Sequence, residues 1–181
     1  MIRTEFDDEL NLLELIPCGG KTGILACSNC SAVYGTGDTK RIDDILEKIK
    51  GHCEVVFTTS IDSPCDLRLL NYVLPTIEGF ESVEFIIVLS CVAGKKSIGH
   101  VLKKKKLKIE IINPVKTEDF SIIKSKNHSV KACVFCDECS FPDLNDFCPV
   151  ASCPAYKKDG PCQNRTSNKC VMNSEIDCVW L

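Results

Sequence analysis

No stretch of this 181-residue chain approaches the roughly 20 consecutive apolar residues that a membrane-spanning helix needs, so no membrane insertion is expected. The opening MIRTEFDDEL carries charged residues where a secretory signal peptide needs an apolar run. A cytoplasmic, reducing setting follows, and in it cysteines stay available as thiols. Basic excess is missing too: the net charge is −3, which gives no electrostatic reason to expect nucleic acid. The three histidines, His52, His100 and His128, are scattered and none stands at metal-binding spacing from another. No flavin fingerprint, catalytic barrel, Ser/His/Asp or Cys/His pair, or acid/base carboxylate pair is recognisable. Hydrophobic content of 44% and charged content of 26% are ordinary for a soluble globular protein.

What the chain does have is cysteine, fourteen in all. Eight of them crowd the last quarter: Cys133, Cys136, Cys139, Cys148, Cys153, Cys162, Cys170 and Cys178. Few apolar residues lie between them, so this tail cannot bury enough surface to fold alone, and bound metal supplies the missing free energy. Cys133, Cys136 and Cys139 follow one another at two-residue gaps, as in the opening of a ferredoxin-like loop. Eight thiols make two sets of four, which predicts two 4Fe-4S clusters. The alternative is two zinc sites of four thiolates each, although zinc modules usually separate two C-x2-C knuckles by a spacer. The simple grouping is Cys133, Cys136, Cys139 and Cys148 against Cys153, Cys162, Cys170 and Cys178, with interleaving open as it is in two-cluster ferredoxins.

The tail also resembles a known family. Cys148-Pro149-Val150, Cys153, Gly160-Pro161-Cys162, Lys169-Cys170 and Cys178-Val179-Trp180 reproduce, in order, the landmarks of the cysteine-rich C-terminal domain of methylenetetrahydrofolate reductases. Where the family continues with two glycines after Cys162, this chain has Gln163 and Asn164. A tail of this kind after a short α/β domain resembles the small subunits of acetogen-type methylenetetrahydrofolate reductase.

From 21 to 114 strands and helices alternate, which predicts an α/β fold: a small Rossmann-like or flavodoxin-like parallel sheet layered with helices. Strands are expected at 23–27, 54–59, 84–90 and 107–112, and helices near 38–50, 66–78 and 95–105. Asp38 is the expected N-cap of the first helix, Gly51 its stop, and Pro75 a disturbance near the end of the second. Residues 1–20 read as an N-terminal segment with an amphipathic helix over 6–16, 115–132 as a linker, and 133–181 as the irregular cysteine-rich metal domain. The CGGKTG run after that helix lacks the first glycine of a phosphate loop and precedes the first strand, so it reads as a turn.

In an open α/β sheet the loops after the strands gather at one edge, where ligands bind. Cys27 and Cys30 follow the first expected strand, Cys65 the second and Cys91 the third. Convergence of these four would make a third metal site; the alternative is that Cys27 and Cys91 are small buried apolar residues at strand ends. The family usually shows C-x2-C-x3-C followed by glycines here. Cys27 and Cys30 match, Tyr34 takes the third position, Gly35 and Gly37 follow, and Cys91 keeps its place in a turn after the third strand.

Cys18 and Cys53 fall outside both patterns and read as plain thiols. Lys103 to Lys106 reads as a solvated helix end. The resemblance implies a non-catalytic iron-sulfur electron-transfer and docking subunit. Its partner would be a flavin-containing methylenetetrahydrofolate reductase catalytic subunit. Its electrons would come from a ferredoxin, an NADH-oxidising module or a heterodisulfide-reductase-like module. A zinc-binding interaction subunit without redox duty is the competing expectation.

Overall fold

The structure, a computed structural model, describes residues 1–125, 128–136, 148–165 and 167–181. Two compact units divide the chain, Ile2–Thr117 and Glu118–Leu181, with Met1 belonging to the second.

The first unit is built on a four-stranded parallel sheet. After a strand β1 (Ile2–Phe6) and a one-turn helix α1 (Leu12–Leu15), the sheet strands are β2 (Lys21–Cys27), β3 (Glu54–Ile61), β4 (Phe85–Leu89) and β5 (Glu110–Ile112). Their spatial order is β3-β2-β4-β5 and every pairing is parallel. This is the flavodoxin-like order, in which the chain reverses direction between its first and third sheet strands. Helices α2 (Cys30–Val33), α3 (Thr39–Ile49), α4 (Leu67–Val73) and α5 (Val92–Lys104) connect the strands.

Strand alternation sends neighbouring side chains to opposite faces. Leu25, Ile86 and Val88 pack with Leu70 and Leu74 around α4 and with Ile98, Val101 and Leu102 of α5. Ile24, Ala26, Ile87 and Leu89 pack with Ile42, Ile45 and Ile49 of α3 and with Leu12 and Ile16. With both faces covered, the central strands carry continuous apolar runs, residues 24–27 and Phe85–Leu89, as buried parallel strands do. Asp38 caps α3 by accepting from the Arg41 N–H at 3.0 Å, and Gly51, at φ 73°, follows the helix end. Helix α4 gives way at Leu74 to a 3-10 turn, Leu74–Thr76, where Pro75 can donate no hydrogen bond to continue it.

Two segments differ from their sequence reading. The helix expected over 6–16 is a strand, Ile2–Phe6, a bend, and the single turn Leu12–Leu15 capped by Asn11. The strand is disguised because its inward residue is polar: Thr4 is buried and shares a 2.7 Å hydroxyl contact with Thr36. The linker expected over 115–132 holds two antiparallel strands, β6 (Val115–Ser125) and β7 (His128–Cys133). Along β6 the alternation is inverted, with Asp119 and Ser121 buried and Phe120 and Ile122 exposed. A hydrophobicity pattern read for apolar-inward strands therefore finds nothing there.

In the second unit, β6 and β7 form a hairpin held by polar contacts. Asp119 is 1% exposed; Ser121 donates to its carboxylate, and Lys131 lies 3.7 Å from it. Lys131 also meets the Tyr156 hydroxyl at 2.5 Å and sits 4.7 Å above its ring. A one-turn helix α6 (Pro149–Ser152) packs against β7, and the chain from Cys153 to Leu181 is irregular. Among the described residues no helix is long and apolar enough to cross a membrane.

Candidate metal centres

The first cysteine group lies at the carboxyl edge of the parallel sheet. Ala26 on β2 pairs with Leu89 on β4, so Cys27 and the Ser90-Cys91 pair leave adjacent strands side by side at the reversal point. Cys30 opens α2. The preceding Asn29 ties this loop to the one after β3, its side-chain amide donating to the Asp62 carboxylate at 3.2 Å and the Ser63 hydroxyl at 3.3 Å. Cys91 stands at the N-terminal cap of α5, where the Val92 N–H is satisfied by the Thr117 hydroxyl at 2.8 Å.

Two glycines allow the loops to close in. A Cβ at Gly37 would meet the carbonyl oxygens of Leu89 at 2.9 Å and Cys27 at 3.1 Å, the ends of the two central strands. A Cβ on Gly94 would meet the Ser90 hydroxyl at 2.1 Å and Pro64 at 3.2 Å. Gly94 thus lets the loop carrying Cys65 approach the turn carrying Cys91, and Ser97 fastens it by donating to the Cys65 carbonyl at 3.3 Å. Cys27 and Cys91 are buried, Cys30 is half-buried and Cys65 is exposed. Burial pushes the Cys65 thiol above its ordinary pKa, and Cys91, then Cys27 and Cys30, push it further, against an opposing backbone hydrogen bond.

Three further hydroxyls lie within four residues of these cysteines along the chain. Ser31 is fully buried, Ser90 is 1% exposed, and the Tyr34 hydroxyl is shielded, yet none of the three has a hydrogen-bond partner. Such groups mark places where a partner belongs. Ser31 and Ser90 left no signal in the sequence, because a serine beside a strand end is unremarkable until its burial is known.

The second group lies in the tail. The sulfur of Cys148 accepts from the Ala151 N–H at 3.5 Å and that of Cys133 from the Phe135 N–H at 3.3 Å. Cys133, Cys136 and Cys148 are half-buried; Cys139 lies outside the described residues. Further along, the Cys170 N–H donates to Ile176 at 3.0 Å and the Cys178 N–H to Asn168 at 2.8 Å. With Lys169 clamped to Asp177 at 2.7 Å, these bonds fold 168–178 into a tight loop that brings Cys170 and Cys178 together. Cys153, Cys162, Cys170 and Cys178 line one cavity, along with Arg165, Lys169 and Trp180. The structure therefore gathers one of the two expected tail groups around a shared space.

Among the described residues no three His, Cys, Asp or Glu side chains converge as a ready site for a single ion. Cys18 is exposed and Cys53 half-buried, and His52 is engaged with the Ile16 carbonyl at 2.7 Å. Lys103 and Lys104 occupy the last turn of α5, where cations suit the helix dipole.

Residues 112–181 match a family model described as the methylene-tetrahydrofolate reductase C terminal. No curated protein and no solved structure matches the chain. The cysteine landmarks and the cavity they line both fall inside the matched segment, so it is the tail of this protein that is similar to the methylene-tetrahydrofolate reductase C-terminal family.

Proposed function

We propose that this chain is an iron-sulfur electron-transfer and docking subunit of a methylenetetrahydrofolate reductase complex. The observation that carries the reading is the cavity lined by Cys153, Cys162, Cys170 and Cys178 within the segment that matches the reductase C-terminal family model. Their thiolates would hold one 4Fe-4S cluster, and Cys133, Cys136, Cys139 and Cys148 a second. A single zinc ion needs four sulfurs about 2.3 Å from one point, whereas a cluster spreads its ligands around a larger body. The run of three cysteines at two-residue gaps, Cys133, Cys136 and Cys139, suits the cluster better than the spaced pairs of zinc modules.

Cys27, Cys30, Cys65 and Cys91 are proposed as a third thiolate site. What supports it is that close approach at Gly37 and Gly94 draws the loops carrying the four thiols to one edge of the sheet, where the Asn29 and Ser97 side chains tie them together. A bound cluster supplies one-electron transfer. The protein's own share is to hold the thiolates, to donate the Phe135 and Ala151 N–H groups to sulfur, and to exclude water from Cys27, Cys91 and Cys153. These features set how readily an electron is accepted. The partner would be a flavin-containing catalytic subunit, and the donor a ferredoxin, an NADH-oxidising module or a heterodisulfide-reductase-like module.

Anaerobic purification followed by iron, sulfide and zinc analysis tests the reading. A brown protein with about eight irons from the tail, on the order of four per cluster, and visible absorption that bleaches on reduction is the expected result. A colourless protein holding zinc would replace it with a zinc-stapled interaction subunit. If Cys65→Ser and Cys91→Ser leave the metal content unchanged, the third site is refuted.

A further inference from the structure

The tail cavity contains two cations that differ in how they are matched. Lys169 is held by the Asp177 carboxylate at 2.7 Å. Arg165 also lines the cavity, but its Nη1 is shielded from solvent and has no hydrogen-bond partner. A guanidinium N–H taken out of water and left unpaired is costly, more so because the group cannot shed its charge. Around it stand four thiols, Cys153, Cys162, Cys170 and Cys178. Ionised to bind a cluster, those thiols bring negative charge into the space that the shielded nitrogen borders, and they offer it sulfur acceptors.

We propose that Arg165 is the charge-compensating residue of this cluster site and raises its reduction potential, an inference that rests on the iron-sulfur reading above. Reduction adds one electron, taken from an external one-electron donor, and makes the cluster more negative. Arg165 stays protonated in both states and transfers nothing. Its attraction is stronger for the reduced form, so the equilibrium shifts toward reduction. Lys169 cannot take this role while its ammonium is engaged by Asp177.

The test uses the full chain, purified anaerobically as wild type, R165K and R165Q, with iron and sulfide measured before a redox titration followed by electron paramagnetic resonance. The affected signal is assigned as the one that Cys170→Ser removes. R165Q should load iron fully yet show, at the wild-type midpoint, a reduced-to-oxidised ratio about tenfold lower, ~59 mV for a one-electron couple. R165K should fall between the two. A fully loaded R165Q with an unchanged midpoint overturns the proposal, and so does an R165K midpoint as low as that of R165Q. Should R165Q fail to bind iron, R165K decides: iron retained near the wild-type midpoint supports the charge role, and iron lost overturns it. A wild-type protein containing zinc and no iron refutes the iron-sulfur reading itself, before any variant is compared.

Discussion

Replacing Gly94 by alanine tests whether the loops bearing Cys65 and Cys91 are held as closely as the structure has them. The new Cβ would lie 2.1 Å from the Ser90 hydroxyl, 3.0 Å from the Ser90 Cβ and 3.2 Å from Pro64. Overpacking of this kind costs about 1–3 kcal/mol, while alanine in a helix interior returns roughly 1 kcal/mol relative to glycine. The net expectation for G94A is a loss of about 0–2 kcal/mol, the low end applying if the Ser90 hydroxyl can swing to another rotamer. The Ser90 hydroxyl is buried without a partner, so S90A alone should be neutral or slightly stabilising. In the S90A background the 2.1 Å clash is gone and only the two longer contacts remain. G94A should then cost ~1 kcal/mol less, a coupling above the 0.3–0.5 kcal/mol scatter of independent sites. Urea unfolding of the four proteins at equal metal loading measures it. Equal costs for G94A in both backgrounds, or S90A destabilising by more than about 1 kcal/mol, would refute the packing argument.

Gly37→Ala should cost about 1–3 kcal/mol, because the Cβ meets backbone oxygens of β2 and β4 that cannot rotate away; metal analysis should show loss from the α/β site with tail content intact. Lys131→Met removes a partner from the buried Asp119 carboxylate and from Tyr156, and chemical denaturation should record a loss of roughly 1–3 kcal/mol. The Lys116 ammonium, ion-paired with Asp7 at 3.1 Å, is held above the usual lysine range by that carboxylate, with Glu9 and Glu5 adding to the effect. A raised lysine pKa contributes stability that is complete below the ordinary value of 10.5 and lost as pH rises through the folded value. Nuclear magnetic resonance titration should place Lys116 above 10.5, and D7N should bring it back down; an unchanged midpoint in D7N would show that the pair is not its cause.

The residues of this protein announce their parallel strands because Ile24, Leu25, Ile86, Ile87 and Val88 must be apolar on both faces of a covered sheet, and the helical patterns between these short runs mark them as strands. Cysteine spacing likewise marked the tail as the segment that resembles the reductase C-terminal family, and the family model matches there. Strands β1 and β6 stayed hidden, because Thr4, bonded to Thr36, and Asp119, bonded to Ser121, are buried polar residues that erase the apolar period. Spacing also had no means of showing that Gly94 and Pro64 bring Cys65 toward Cys91, or that Arg165 borders the tail cavity with a nitrogen lacking a partner. Those facts depend on distances between residues far apart along the chain, which only the folded arrangement of strands and loops decides.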